Sequence, residues 1–262
     1  MNHYFSSLAT AVQREALAVG LHTIVLTSNE DPATLDALVR GLSQHSIDGL
    51  LCVPLEESRA AVEDVASAMP VVLIDRSLPG SALPAVTSDP VPGVSAAVEL
   101  LARRELTPIG YLSGPLDTST GRERLDALTA AVAAVGLPPQ HIYHGGYQEE
   151  QGVQGAEALL RQGVRTLFAG DSMMTVGVLR ACHGQGLRIP EDIAVVGFDP
   201  HPAFELQPRP ITIIDQHADA MASLAFGLLL QLMEKGPPGG RRHLRTTTTL
   251  IERESTDTGG EV

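Results

Sequence analysis

Carboxylates, turn residues and an aromatic stand in this sequence where apolar runs stop. The groups are Asp75-Arg76, Ser88-Asp89, Ser113-Gly114-Pro115, Gly145-Gly146-Tyr147, Gly170-Asp171 and Phe198-Asp199. A carboxylate in such a place can accept hydrogen bonds from ligand hydroxyls or act as a general acid. Acid–base or nucleophilic catalysis needs a partner group in the same motif. No nucleophile and base stand together in any motif of the chain, which argues against an enzyme and leaves no catalytic residue to name. No GxGxxG follows an extended run and no GxxxxGK(S/T) occurs, so both phosphate-cradling loops are missing. Neither GxSxG nor HExxH is present. His141 and His144 lie three apart on an extended run, which points them to opposite faces rather than at one metal. No cofactor or metal is expected.

The elements that must position these groups alternate. Phe5, Leu8, Ala9, Val12, Ala16 and Leu17 recur at helical spacing. His22 to Thr27 (HTIVLT) reads as a strand, and Asp31-Pro32 opens a helix with a cap and a first-turn proline. Strands follow at 47–54, 70–75 and 85–87, with a helix at 56–68. A second group repeats the rhythm. Helices are expected at 93–104, 121–135, 148–162, 172–184 and 218–235, with Asp171 or Ser172 capping the fourth. Strands are expected at 108–113, 141–144, 165–169, 193–198, 211–214 and 244–252. Apolar strands alternating with helices imply parallel sheets covered on both faces, hence an α/β, doubly wound fold. Ligands of such sheets bind beyond the carboxyl ends of the strands, which directs attention back to the groups above.

The 262 residues suit one large domain or two modest lobes, and 44% apolar content suffices for a packed core. Eighteen basic against 31 acidic residues give a formal charge of −13, a poor balance for non-specific nucleic-acid binding. Cys52 and Cys182 sit in separate apolar segments and read as buried thiols, which fits a reducing compartment. The start of the chain has neither the basic residues nor the apolar run of a signal peptide. No segment offers the ~20 apolar residues of a membrane span. A soluble, cytoplasmic protein is expected. Aromatics are scarce, with no Trp, four Tyr and five Phe.

Several strings, in order, resemble the LacI/GalR family of bacterial transcription regulators in its effector-binding core. Asn2-His3-Tyr4-Phe5 is similar to "NPFF", Ile47 to Leu51 to "vDGii", and Pro70 to Arg76 to "PvVliDR". Ser88-Asp89 with Gly93 is similar to "vDn…G", and Arg122-Glu123-Arg124 to "R.R..G", with Ala127 where Gly is usual. The stretch from Gly186 through Asp199 is close to "Gl.vP.disvvGfD", 210–216 to "PlTTv.q", and 250–255 to "LivR.S". The resemblance implies two Rossmann-like doubly wound parallel-sheet lobes of periplasmic binding protein type I. Residues 1–87 plus 216–240 would form one, and 88–215 plus 241–255 the other, with 256–262 a tail. The family's helix-turn-helix, hinge helix and first strand have no counterpart, so a fragment of a longer protein or a misassigned start is expected.

The resemblance further implies a small-molecule effector held in the cleft between lobes, a homodimer, and operator DNA read only through the missing N-terminal part. A sugar site needs hydroxyl acceptors, an arginine fork and an aromatic face. Arg124 would supply the fork, its alternative being an ion pair with Glu123 or Asp126. Asp199, Asp89 and Asp75 would accept from hydroxyls, with an Arg76 ion pair the alternative for Asp75. Tyr147 would stack, and Tyr4 and Phe5 would approach from the first lobe, although Phe5 also belongs to the apolar helical stripe. Thr118 and Thr120 would add hydroxyls, and Gln216 would bond ligand or brace a crossing segment. Asp171 completes the set. Gly170 replaces the Asn common in sugar-responsive members and removes an amide for sugar hydroxyls, as in a purine-type member, which narrows the preference for sugar over a nucleobase or another small polar ligand. The alternative reading is a periplasmic-type sugar-binding transport protein.

Overall fold

The computed structural model describes residues 2–42, 46–236 and 242–259. The chain falls into two compact units. The first comprises His3–Ser88 and His217–Thr246; the second holds Asn2, Asp89–Gln216 and the segment from Thr247 on.

The first unit opens with α1 (His3–Ala18) and α2 (Pro32–Leu42), then β1 (Leu50–Cys52), α3 (Arg59–Val65), β2 (Val71–Asp75) and β3 (Ala85–Asp89). Asp31 caps α2 as its sequence foretells, accepting from the Thr34 amide at 2.7 Å. The second unit continues with α4 (Val91–Arg103), β4 (Ile109–Ser113), α5 (Ser119–Ala134), β5 (His141–His144) and α6 (Glu149–Leu160). It goes on through β6 (Thr166–Ala169), α7 (Ser172–Gly184), β7 (Ala194–Phe198), the single-turn α8 (Pro202–Glu205) and β8 (Thr212–Asp215). The chain returns to the first unit with α9 (Ala218–Lys235) and β9 (His243–Thr247), and ends in the second with β10 (Thr249–Ile251).

The first sheet has the order β1-β2-β3-β9, and the first three strands are parallel. Tyr4, Leu8 and Ala11 of α1 and Met221, Ala225 and Leu229 of α9 cover the face carrying Val72, Ile74 and Val86. Leu35, Val39, Val62 and Val65 cover the face carrying Val71, Leu73 and Ala85. Successive residues of β2 thus enter opposite cores, the two-residue period of a strand buried on both sides. The second sheet has the order β10-β8-β7-β6-β4-β5, parallel in the pairings from β5 to β8, with β10 antiparallel on its edge. Helices α4 and α5 cover Tyr111, Phe168, Val196 and Phe198, and α6 and α7 cover Leu112, Leu167, Ala169 and Val195. β5 lies on one side of β4 and β6 on the other, so the winding reverses between β4 and β6.

Three expectations need correction. The run 22–27 is no strand: among the described residues it has no ladder partner, and Ile24, Val25 and Leu26 are 72%, 43% and 49% exposed. A β-branched run becomes a strand only where another strand accepts its hydrogen bonds. The single last strand is two, split at Thr248: the β9 half joins the first sheet, so the boundary placed at 241 falls between Thr246 and Thr247. The tail placed from 256 begins later, because Thr256 is buried and its hydroxyl meets that of Thr212 at 2.9 Å. Beside it the Ser255 hydroxyl donates to the Val195 carbonyl (2.6 Å) and accepts from the Thr212 amide (2.8 Å), tying the chain end to β7 and β8.

Gly93 is held by contact. Its amide donates to Thr248 Oγ1 at 2.9 Å, and a Cβ there would lie 2.6 Å from Ile214 Cγ2. Gly93→Ala is expected to lower stability by about 1–3 kcal/mol, read from the urea midpoint at unchanged slope.

Candidate functional site

The carboxyl ends of the second sheet gather most of the candidate residues around one guanidinium. Arg124 rises from the second turn of α5 and is only 5% exposed. Its Cζ lies 4.1 Å from the centroid of the Phe198 ring, at the end of β7. Its Nη1 donates to the carbonyl oxygen of Gly170, just past β6, at 2.5 Å. A ring face and a carbonyl oxygen together fix the plane and direction of the cation. The expected alternative, a surface ion pair, does not fit this burial.

Asp199 follows Phe198 and is buried, with a left-handed backbone (φ 61°). Its amide donates to the Ile214 carbonyl at 2.8 Å. The buried Gln216, just past β8, donates through Nε2 to both carboxylate oxygens of Asp199 at 2.9 Å. Aspartate tolerates the left-handed region better than most side chains, and such positions cluster at binding sites. Two strand ends are thereby clamped together and the carboxylate is aimed.

Tyr147 stands after β5 and reaches α5. Its hydroxyl lies 2.9 Å from Thr120 Oγ1 and 3.2 Å from Thr118 Oγ1. Thr118 is itself the cap of α5, accepting from the Gly121 amide at 3.1 Å and donating to the Pro115 carbonyl at 2.8 Å. Asp171 caps α7, accepting through Oδ1 from the amides of Met173 (2.7 Å) and Met174 (3.2 Å). Burial pushes the Asp171 carboxyl above the usual carboxylate range, while Arg124 and those amides pull the other way. Asp89 accepts from the Val91 amide at 3.0 Å, which closes the turn into α4.

The remaining candidates lie in the first unit. The Tyr4 hydroxyl donates to Asp75 Oδ1 at 2.9 Å, and Asp75, like Asp199, ends its strand in the left-handed region (φ 67°). Phe5 packs edge-on to Tyr4 (centroids 5.2 Å apart) and against the α1–α9 core. Arg76 reaches Asp75 only at 3.7 Å. Its main partner is Glu30, gripped through both terminal nitrogens at 2.7 and 2.8 Å. Sequence reasoning missed Glu30, which stands 46 residues away in a loop with no motif. It also missed Tyr111, whose run PIGYLS reads as plain buried strand. The two cysteines are buried, and burial pushes both thiols up to about 12, so neither is a nucleophile at neutral pH.

A buried cation, a clamped carboxylate and a phenol thus stand at the carboxyl ends of a parallel sheet, near the reversal of its winding, where sheets of this type place ligands. Residues 98–256 match the family described as periplasmic binding protein-like domain. A probable LacI family transcriptional regulator from Corynebacterium glutamicum shares 49% identity over 97% of this chain and 95% of its own, with a TM-score of 0.91. The ribose operon repressor of Escherichia coli K12 is 26% identical over 260 residues, which cover 97% of this chain and 78% of that protein. The HTH-type transcriptional repressor PurR of Klebsiella pneumoniae is 26% identical over 264 residues, covering 98% and 77%. The chain belongs to the LacI family of transcriptional regulators, in the region of its periplasmic-binding-protein-like domain. These relatives are transcription regulators and not enzymes.

The capping geometry makes Asp171 separable from the rest of the set. Asp171→Ala is expected to cost about 1 kcal/mol of unfolding free energy in urea, whereas Asp171→Asn, which keeps the acceptor, stays within a few tenths of a kcal/mol at the cap.

Proposed function

We propose that this chain is the effector-binding and dimerising core of a cytoplasmic bacterial transcription regulator, and that its effector is a small polar molecule, a sugar by preference. The observation that carries the reading is Arg124: a buried guanidinium, locked between Phe198 and the Gly170 carbonyl, is built to present hydrogen-bond donors to ligand oxygens. Asp199, oriented by Gln216, would accept from ligand hydroxyls, and the Tyr147 ring with Thr120 would supply an apolar face and a further hydroxyl. Asp75, with Tyr4 on it and Phe5 beside it, would be the first unit's counterpart. Thr118, Asp89 and Asp171 would serve ligand indirectly, by holding the turns from which the other groups project.

Sugar is favoured because the group combines a carboxylate acceptor, an arginine fork and an aromatic ring. The ribose operon repressor among the relatives supports that choice, and the relative PurR together with Gly170 keeps a nucleobase as the competing class. The transport-protein alternative is set aside, because the relatives are repressors. Effector binding would shift the regulator between two conformations that differ in operator affinity, and operator DNA would weaken or strengthen effector binding by the same factor. Two copies would pair so that a palindromic operator is read by DNA-binding segments outside this chain.

A thermal-shift screen against sugars, sugar phosphates and nucleobases identifies the class, and calorimetry on the best compound tests the residues. Arg124→Ala and Asp199→Ala are each expected to weaken binding by about 10- to 150-fold, the loss for a hydrogen bond to a charged group. Unchanged affinity in both variants places the effector elsewhere.

A further inference from the structure

We propose that Tyr111 is a further specificity-determining residue of the effector site, its hydroxyl bonding an oxygen of the ligand next to Arg124. The inference rests on the reading that the carboxyl ends of the second sheet hold the effector.

Tyr111 is the middle residue of β4, the strand at which the winding of the sheet reverses. In open parallel sheets, ligands occupy the crevice beyond the strand ends at that reversal, here between β4 and β6. The ring packs edge-on to Phe168 of β6, with centroids 5.6 Å apart and planes at 89°, and the residue is 2% exposed. Its apolar body therefore belongs to the core. Its hydroxyl does not: among the described residues nothing donates to it or accepts from it. Among the described polar side-chain atoms sealed from solvent, Asp36 Oδ1, Arg76 Nε and Glu149 Oε1 make no hydrogen bond, the last two standing in ion pairs with Asp75 and Arg180. The Tyr111 hydroxyl is not one of these, which leaves it open at its tip.

The open side is toward the site. A Cβ on Gly170 would stand 2.7 Å from the Tyr111 hydroxyl, so a side chain at 170 and a tyrosine at 111 compete for one space. Gly170 is also the residue whose carbonyl oxygen holds Arg124. The ionisable groups near enough to act on the Tyr111 phenol are Arg124 and Tyr147, both at the site already described.

Burial pushes the ionisation of Tyr111 well above the usual phenol range, more than Arg124 lowers it. At neutral pH the group is a neutral O–H with one proton to donate. With the arginine beside it also a donor, the atom that fits this corner is an acceptor oxygen: a carbonyl, carboxylate, ring or hydroxyl oxygen of the effector. A buried tyrosine hydroxyl with no protein partner gains its hydrogen bond only when such a ligand arrives.

The test uses the whole chain, with D-ribose, D-glucose, D-galactose, cellobiose, hypoxanthine and guanine as probes, in calorimetric titrations of wild type, Tyr111→Phe and Arg124→Ala. Thermal melts without ligand run alongside. The expected result is that Tyr111→Phe melts as wild type does, yet binds the best probe about three- to tenfold more weakly. If wild type binds, Arg124→Ala loses binding and Tyr111→Phe binds as tightly as wild type, this proposal is overturned and the effector reading stands. If Tyr111→Phe destabilises the ligand-free protein, the hydroxyl has a structural partner and the proposal is likewise overturned. If no probe binds wild type at millimolar concentration, the effector reading fails for these classes and the proposal fails with it.

Discussion

One buried positive charge organises the carboxyl end of the second sheet. Taking a guanidinium out of water costs several kcal/mol, even after relaxation. A desolvated ring face returns about 2 kcal/mol, and a charge-assisted hydrogen bond about as much again. Arg124 therefore needs both Phe198 and the Gly170 carbonyl. Each requirement fixes another element. Phe198 must end β7 on the α4–α5 face, Gly170 must leave β6 with its carbonyl toward α5, and Asp171 must turn back at once to cap α7. The ends of two strands and the starts of two helices are positioned by a single cation.

Much of this was legible in the sequence because the physical signals are local. Apolar runs with caps and turns mark strands buried on both faces, and β2, β4, β6 and β7 lie where their patterns put them. Asp199 and Tyr147 could be singled out because a strand end is visible from neighbouring residues, whereas Arg124 and Gln216 were named through the family resemblance. The split of the final run at Thr248 was not visible. Both halves have the same β-branched composition, and only the acceptor strand, more than a hundred residues away for β9, decides which sheet each joins. The segment 22–27 shows the converse: local pattern without a ladder does not make a strand. Tyr111 was hidden for a third reason. A tyrosine in an apolar run reports its ring to the core, and nothing in the sequence says where its hydroxyl ends.

The motifs that identify the family divide into two kinds. Some hold the scaffold. In the string 186–193, Arg188 forks onto Asp192 at 2.9 and 2.8 Å on the surface, and the closing Ser255 secures β7 and β8. Others aim side chains, as Gln216 does for Asp199 and Tyr4 for Asp75. In both units an aspartate at the end of a buried strand sits in the left-handed region and accepts from a neutral side chain, Tyr4 for Asp75 and Gln216 for Asp199. The −13 of the chain then describes a ligand-binding core whose partners need not be polyanions.

On the proposed reading, the buried guanidinium of Arg124 is there to meet a ligand. The most direct measurement is a crystal structure of this chain with its effector bound. The expected result is a ligand oxygen within about 3 Å of the Arg124 guanidinium, with Arg124 still stacked on Phe198. An effector bound elsewhere, with Arg124 facing protein alone, would contradict it.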